Sequence, residues 1–382
     1  MALRDEKDEA FMQRALTLAR ETVSLASPNP QVGCVLVKEN KIIGEGAHLY
    51  ANRDHAEIVA LKQARERGID VSGATAYVTL EPCSHHGRTG PCADALVAAR
   101  IARAVVATQD PNPQVSGQGI SKLRAAGIEV TLGILQQPAR DLNGAFAHFI
   151  QHHRPFVTLK AALSVDGYLA PAPQNRTPKQ PHWLTCPAAR AEVQRLRHAS
   201  DAILTGIGTV LADDPALTDR TNQSRRRSLL RVVLDAHLRT PLDSQLVRTA
   251  DQDLLILTAV TASSEKIEAL RKAGAEVETI PKENNQLSLP AVLKALAQRN
   301  ILSLLLEAGS HLNGAFLRQN LVDKVILFYS ETELGSESLP FAEGIASPYL
   351  FQQSLHRTTR TAFDTDACIT GYLHDPWPAT SH

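Results

Sequence analysis

Residues 55–99, HAEIVALKQARERGIDVSGATAYVTLEPCSHHGRTGPCADALVAA, read as a helix, a strand, a polar loop and a second helix. The first helix spans 55–67, and Gly68 closes it, since glycine adopts the left-handed backbone of a helix end at least cost. The apolar run at 76–80 predicts a strand, and 93–99 a helix after it.

The same alternation extends outward on both sides. Phe11, Met12, Ala15, Leu16, Ala19 and Val23 recur at steps of three and four, an amphipathic opening helix that stops before Ser27-Pro28-Asn29-Pro30. Apolar runs at 33–37 and 42–43 flank Lys38-Glu39-Asn40-Lys41, which predicts a hairpin. Strands at 104–108 and 129–132 alternate with a helix at 119–126, and 139–150 reads as one last helix. Alternation of this kind predicts a parallel or mixed sheet covered on both faces.

The polar Gln151-His152-His153-Arg154 run ends in Pro155, so domain boundaries are placed at 1–150 and 154–382. A second α/β series follows, with strands expected at 156–161, 202–204, 231–234, 254–258, 302–306 and 325–329 and helices at 190–197 and 289–298. The proline-rich 171–181 and the Arg225-Arg226-Arg227 run within 221–228 read as exposed loops.

At 382 residues the chain is long enough for two or three domains of about 150 residues. With 43% apolar and 21% charged residues it is far from a disordered composition. Forty basic residues balance forty acidic ones, which argues against nucleic-acid or membrane binding and for a small-molecule partner. The opening MALRDEKDEAFMQRALTLAR lacks a signal peptide's apolar core, so a cytoplasmic protein is expected. Five cysteines are too few and scattered for a disulfide scaffold.

His55-Ala56-Glu57, Pro82-Cys83 and Pro91-Cys92 carry the chemistry. One imidazole and two thiolates suit tetrahedral zinc, and three protein ligands leave the fourth position for water, as in a catalytic centre. Each ligand is expected at a helix start, where the macrodipole favours a thiolate. Residues two apart on a regular helix face nearly opposite ways, so His55 is expected at an irregular first turn, with Glu57 reaching the water as proton carrier. That division of labour is the one general to zinc deaminases. An isolated His-x-Glu triplet is common and buried cysteines often only pack, but the two Pro-Cys pairs with a strand before and a helix after favour a site. Cys34, Cys186 and Cys368 lack such company and read as core or surface thiols.

Ser27-Pro-Asn-Pro-Gln-Val-Gly-Cys34, His55-Ala-Glu57, the cysteine loop at 80–89 and Asp110-Pro-Asn-Pro113 resemble the deaminase half of the bifunctional riboflavin-biosynthesis deaminase/reductase family. The segments 159–167, 201–215, 233–235 and Leu306-Glu-Ala-Gly309 resemble its reductase half, so the resemblance covers nearly the whole chain. It implies an α/β protein: a cytidine-deaminase-like three-layer αβα domain followed by a dihydrofolate-reductase-like one. The first would deaminate a phosphoribosylamino diaminopyrimidinone, with one zinc, and the second would reduce the ribose to a ribityl chain with NADPH. A homo-oligomer is also expected.

Carried over by position, the resemblance places Asn29, His48, His85, Arg88, Asp110 and Asn112 in the deaminase pocket. Amides and imidazoles suit a pyrimidine edge and a cation its phosphate, although both Asn-Pro pairs are also ordinary turn chemistry. NADPH would meet Ala162, Trp183, Thr209, Asp213 and the run Gly309, Ser310, His311, Leu312, Asn313, Gly314 and Ala315. Arg197, Leu217, Arg220 and Glu307 would meet the sugar phosphate, and Lys160 would polarise the opened sugar. For Arg197 a solvated helix face is the competing reading. Gly206 and Gly208, and Gly309 and Gly314, follow strand-like runs and suit backbone contacts to phosphate, without spelling the Rossmann fingerprint.

Pro181, Ala236 and Ser330-Glu331-Thr332 depart from the family pattern in the reductase half, as Asn52 and Gly90 do in the first. Two competing expectations follow: a deaminase whose C-terminal domain serves only as a nucleotide-binding or oligomerisation module, and a deaminase acting on nucleic acid, which the neutral charge disfavours.

Overall fold

The computed structural model describes residues 2–85, 90–177, 179–180 and 182–377, with side chains from residue 6. The chain divides into two compact units, one running through His152, with Ser224–Arg226 and Trp377 counted in, and the other beginning at His153.

In the first unit five strands lie in the spatial order Lys41–Ala47, Gly33–Lys38, Thr75–Val78, Arg103–Val106, Glu129–Leu132. Glu39 and Asn40, both at positive φ (53° and 59°), turn the tight hairpin between the first two strands of the chain. The last three strands run parallel.

Strict alternation along each strand sends side chains to opposite faces. Cys34, Leu36, Ala76, Val78, Ala104 and Val106 pack with Ala56–Glu66, Cys92–Ala98 and Gln118–Ala125. Val35, Val37, Tyr77 and Val105 pack with Ala2–Arg20 and with Ala139 of Gln136–Leu142. The result is helix, sheet, helix in three layers. Leu16, Leu36, Leu96 and Leu123 are fully buried there, and each adds about 1.5–3 kcal/mol. A Cβ at Gly46 would sit 2.2 Å from the Ala56 carbonyl oxygen, so glycine lets the helix that follows His55 approach the sheet.

The second unit holds a nine-stranded sheet in the order Glu276–Ile280, Leu254–Ala259, Leu230–Leu234, Ala202–Gly206, Ser303–Leu306, Phe156–Leu163, Lys324–Tyr329, Asp366–Tyr372, His356–Phe363. The first seven are parallel and the last two add an antiparallel hairpin at one edge. Leu289–Gln298 and Ser310–Arg318 cover one face through Val292, Leu296 and Phe316. Ile207–Asp213 and Ser264–Lys272 cover the other through Val210 and Leu270.

The structure corrects four expectations. The opening helix ends at Arg20, so Val23 lies beyond it. The helix expected over 139–150 is two, Gln136–Leu142 and Gly144–His152. Asn143 between them gives its side chain to the backbone of Gln31, accepting from its N–H at 2.7 Å and donating to its carbonyl at 2.9 Å. The arginine run is not a solvated loop throughout, because Arg227 pairs with Asp201 at 3.0 Å and donates to the Asn300 carbonyl at 2.7 Å. Of the expected proline-rich exposed loop, Pro171 and Ala172 are buried, while Pro178 and Pro181 lie outside the described residues. Among the described residues no helix is long and apolar enough to cross a membrane.

Two candidate functional sites

In the first unit the metal-donor set converges from three segments. His55 is the extended N-cap of Ala56–Glu66, Cys92 is the first residue of Cys92–Ala98, and Cys83 lies in the loop after Thr75–Val78 rather than at a helix start. His55 Nδ1 is 3.3 Å from Cys92 Sγ and 3.5 Å from Cys83 Sγ, and all three donor atoms lie within 4.8 Å of one another. Zinc bond lengths at a tetrahedral angle put nitrogen and sulfur about 3.6 Å apart, so the donors fit that ion. The loop is closed by the Cys92 N–H, which donates to Cys83 Sγ at 3.3 Å, and by the Ala93 N–H, which donates to the Cys83 carbonyl at 3.1 Å.

The two thiols are shifted in opposite directions by their contact. The hydrogen bond with Cys92 holds the Cys83 thiol down at about 4 against burial, with His55 assisting. Cys83 and burial push Cys92 up. A divalent cation takes cysteine ligands as thiolates. Glu57 is buried in the first turn after His55, and burial pushes its carboxyl up to about 7.

Around this cluster His48, itself buried, donates from Nδ1 to the Asp54 carbonyl at 2.8 Å, which leaves Nε2 to accept from the Asn29 amide at 2.9 Å. The His48 and His55 rings meet edge to face at 5.3 Å. His85 and Asp110 line a small pocket beside Cys83, and burial raises the Asp110 carboxyl. Asn112 uses its side-chain oxygen to accept from the Gln114 N–H at 3.0 Å, the turn role foreseen for an Asn-Pro pair. Arg88 lies outside the described residues.

Glu81 escaped the sequence reading. Its buried carboxylate accepts from four backbone N–H groups: Asp110 at 3.1 Å, Gly117 at 2.9 Å, Gly119 at 2.9 Å and Ile120 at 3.2 Å. One side chain thereby fastens the cysteine loop to the loop that carries Asp110. An acidic residue directly before Pro-Cys was the available signal.

In the second unit a cavity of about 760 Å³ opens at the carboxyl ends of the parallel strands, where ligands of open α/β sheets bind. Lys160, Ala162, Trp183, Arg197, Thr209, Asp213, Leu217, Arg220 and Glu307 all line it, together with Gly309, Ser310, His311, Leu312 and Ala315. Asn313 and Gly314 do not. Asn313 is buried and donates to the Phe341 carbonyl at 3.0 Å. A Cβ on Gly314 would lie 2.2 Å from the Glu343 oxygen, so that glycine serves packing rather than a phosphate. By contrast, a Cβ at Gly208 meets nothing within 4 Å and at Gly309 only Thr209 Oγ1 at 3.9 Å, so the backbone there is open to a ligand.

Arg197 is no solvated helix residue. It is 12% exposed and grips Glu307 with two hydrogen bonds, while Lys160 Nζ stands 3.8 Å from the same carboxylate. Burial alone would raise the Glu307 carboxyl, but Arg197 and Lys160 overcome it and hold it down at about 2. Burial likewise lowers the Lys160 ammonium below the ordinary lysine value. Trp183 is 60% exposed, and the Arg190 guanidinium lies 5.3 Å from its ring centre. Of the departing positions, Ala236 lines the cavity, Ser330-Glu331-Thr332 does not, and Pro181 is outside the described residues.

Together these sites define an enzyme in which a zinc-type deaminase unit is joined to an α/β reductase unit. Residues 5–108 match the cytidine and deoxycytidylate deaminase zinc-binding region, and residues 155–368 the RibD C-terminal domain. The chain is 41% identical over 330 residues to the riboflavin biosynthesis protein RibD of Actinobacillus pleuropneumoniae, covering 86% of this chain and 85% of that one. It is 41% identical over 362 residues to RibD of Escherichia coli K12, covering 91% and 95%. The solved RibD of Acinetobacter baumannii, form 1, matches with a TM-score of 0.81 at 36% identity over 96% of this chain and 99% of that one. A deaminase/reductase from Thermotoga maritima matches at 0.80 and 33% over 97% and 99%. The chain belongs to the RibD family of bifunctional riboflavin-biosynthesis deaminase/reductases.

Proposed function

We propose that residues 1–150 hydrolytically deaminate a diaminopyrimidinone bearing a phosphoribosylamino group, and that residues 154–382 use NADPH to reduce the ribosyl group of the resulting aminouracil to ribityl. The Thermotoga relative is named as a diaminohydroxyphosphoribosylaminopyrimidine deaminase and 5-amino-6-(5-phosphoribosylamino)uracil reductase. The meeting of His55 Nδ1 with two sulfurs at 3.3 and 3.5 Å carries the first half of the reading.

His55, Cys83 and Cys92 would hold zinc, which when bound supplies a Lewis acid that activates water. Glu57 takes a proton from the attacking water and delivers it to the departing amino group, so oxygen replaces nitrogen on the ring carbon and ammonia leaves. The Asn29 amide, hydrogen-bonded to His48, would read the pyrimidine edge, with His85 and Asp110 at the neighbouring pocket.

In the second unit NADPH when bound supplies a hydride for the opened sugar. Lys160 and Arg197, fixed by Glu307, present positive charge to that carbon's neighbouring heteroatom, where negative charge develops. Arg220, exposed on the cavity wall, is available to the sugar phosphate.

Full-length protein given the phosphoribosyl pyrimidine tests both halves in one vessel. Ammonia release that a chelator stops, followed by NADPH oxidation, is the expected result. Ammonia without NADPH oxidation overturns the second half, and no ammonia from zinc-loaded protein overturns the first.

A further inference from the structure

The helix Pro187–His198 lines the second unit's cavity through Val193, Gln194 and Arg197, and its C-terminal end offers three side chains to one short loop. Gln194 Oε1 accepts from the Arg220 N–H at 3.0 Å. Arg197 Nη1 donates to the Thr218 carbonyl at 3.1 Å, and His198 Nδ1 donates to Asp219 Oδ2 at 2.8 Å. Three consecutive loop residues are thereby fastened to one helix end.

The loop is also pinned from within. Asp219 Oδ1 accepts from the Thr221 N–H at 2.9 Å and from the Thr221 hydroxyl at 2.8 Å. One carboxylate therefore joins the residues on either side of Arg220 while its other oxygen holds His198. The side chains of His198 and Asp219 are 5% and 8% exposed and neither residue lines the cavity, so neither meets a ligand there. Arg220 differs: it is exposed on the cavity wall, and among the described residues its guanidinium has no hydrogen bond or ion pair. A fixed backbone carries an uncommitted cation.

We propose that His198 and Gln194 are positioning residues that fix the backbone of Arg220, and that the reductase's preference for a phosphorylated over a dephosphorylated sugar depends on them. The inference rests on the reading of Arg220 as a sugar-phosphate contact given above. A guanidinium forms charge-assisted hydrogen bonds with a phosphate dianion, but ordering a loose loop at the same time would consume part of the gain. With the loop already tied to the helix, only the arginine side chain has to settle. Arg197 binds both this loop and Glu307, which holds Lys160, so the phosphate end and the reacting end of the sugar share one anchor.

The test follows NADPH oxidation by the full-length protein with the deaminated phosphoribosylamino pyrimidine and with its phosphatase-treated ribosyl counterpart. His198→Ala should raise KM for the phosphorylated substrate about 10-fold with kcat within about twofold of wild type, and leave kcat/KM for the dephosphorylated one unchanged. His198→Asn, whose amide replaces the Nδ1 donor, should restore most of the loss. In an Arg220→Ala background the His198 substitution should add nothing, because its effect passes through that arginine. Undiminished ammonia release and NADPH affinity report an intact chain, and Gln194→Ala carries the same comparison should His198→Ala fail to fold. A loss shared by both substrates, a loss that persists without Arg220, or no loss overturns the proposal. An Arg220→Ala enzyme that keeps the wild-type preference for the phosphorylated substrate sinks the phosphate reading of Arg220 itself and this inference with it.

Discussion

Arg197 and Glu307 meet in a two-pronged ion pair, Nε to Oε1 at 2.8 Å and Nη2 to Oε2 at 2.9 Å, at the floor of the reductase cavity. Both side chains are largely buried, and Arg197 Nη1 also donates to the Thr218 carbonyl at 3.1 Å. Lys160 joins at 3.8 Å.

Glu307→Gln should strand both cations and destabilise the C-terminal unit by about 3–5 kcal/mol, measured by urea unfolding at neutral pH. The pH dependence has a definite sign. The folded carboxyl sits at about 2, below its ordinary 4.5, so its contribution is complete above pH 4.5 and is lost as pH falls toward 2. Wild-type protein should therefore lose more stability than Glu307→Gln across that window; parallel loss would contradict the pairing.

Cys83→Ala should remove the metal. Elemental analysis is expected to fall from about one zinc per chain to near none, and ammonia release to drop by more than the roughly 10–100-fold typical of an outer partner. Reduction of a pre-deaminated substrate should continue, since Cys83 belongs to the other unit.

Glu57→Gln should separate binding from chemistry. Its zinc content should equal wild type, because Glu57 is not among the three converging donors, while kcat for ammonia release falls about 10²–10⁴-fold. Loss of zinc together with activity would show Glu57 to hold the metal site rather than move protons.

Gly119→Ala probes the scaffold behind the cysteines. A Cβ there would lie 1.9 Å from the Pro82 carbonyl oxygen, and the neighbouring Gly119 N–H is bound by Glu81. The clash should cost about 1–3 kcal/mol and displace Cys83, lowering zinc affinity as read by competition with a chromogenic chelator. Unchanged affinity would mean the loop absorbs the methyl without moving its sulfur.

Local pattern carried much of this chain because helices and strands answer to periodicity. The continuous apolar runs at 33–37 and 254–258 emerge as strands because both of their faces are buried. Glu276–Ile280 and His356–Phe363 were not foreseen; the latter is exposed at nearly every residue, so no apolar rhythm marks it and only its neighbour in the sheet makes it a strand. The split at Asn143 was hidden for a related reason: its partner, Gln31, lies 112 residues away.

By itself the sequence determined that an imidazole, two thiols and a carboxylate exist at spacings suited to zinc, because the residue types and their flanking helix and strand signals are local properties. Tertiary structure alone decided what each side chain meets. It set Glu81 against four amides, turned Arg197 from an apparent surface charge into Glu307's partner, withdrew Asn313 and Gly314 from the cavity, and set His198 against Asp219. Those outcomes depend on which strands lie side by side, and long-range adjacency leaves no periodic trace along a chain.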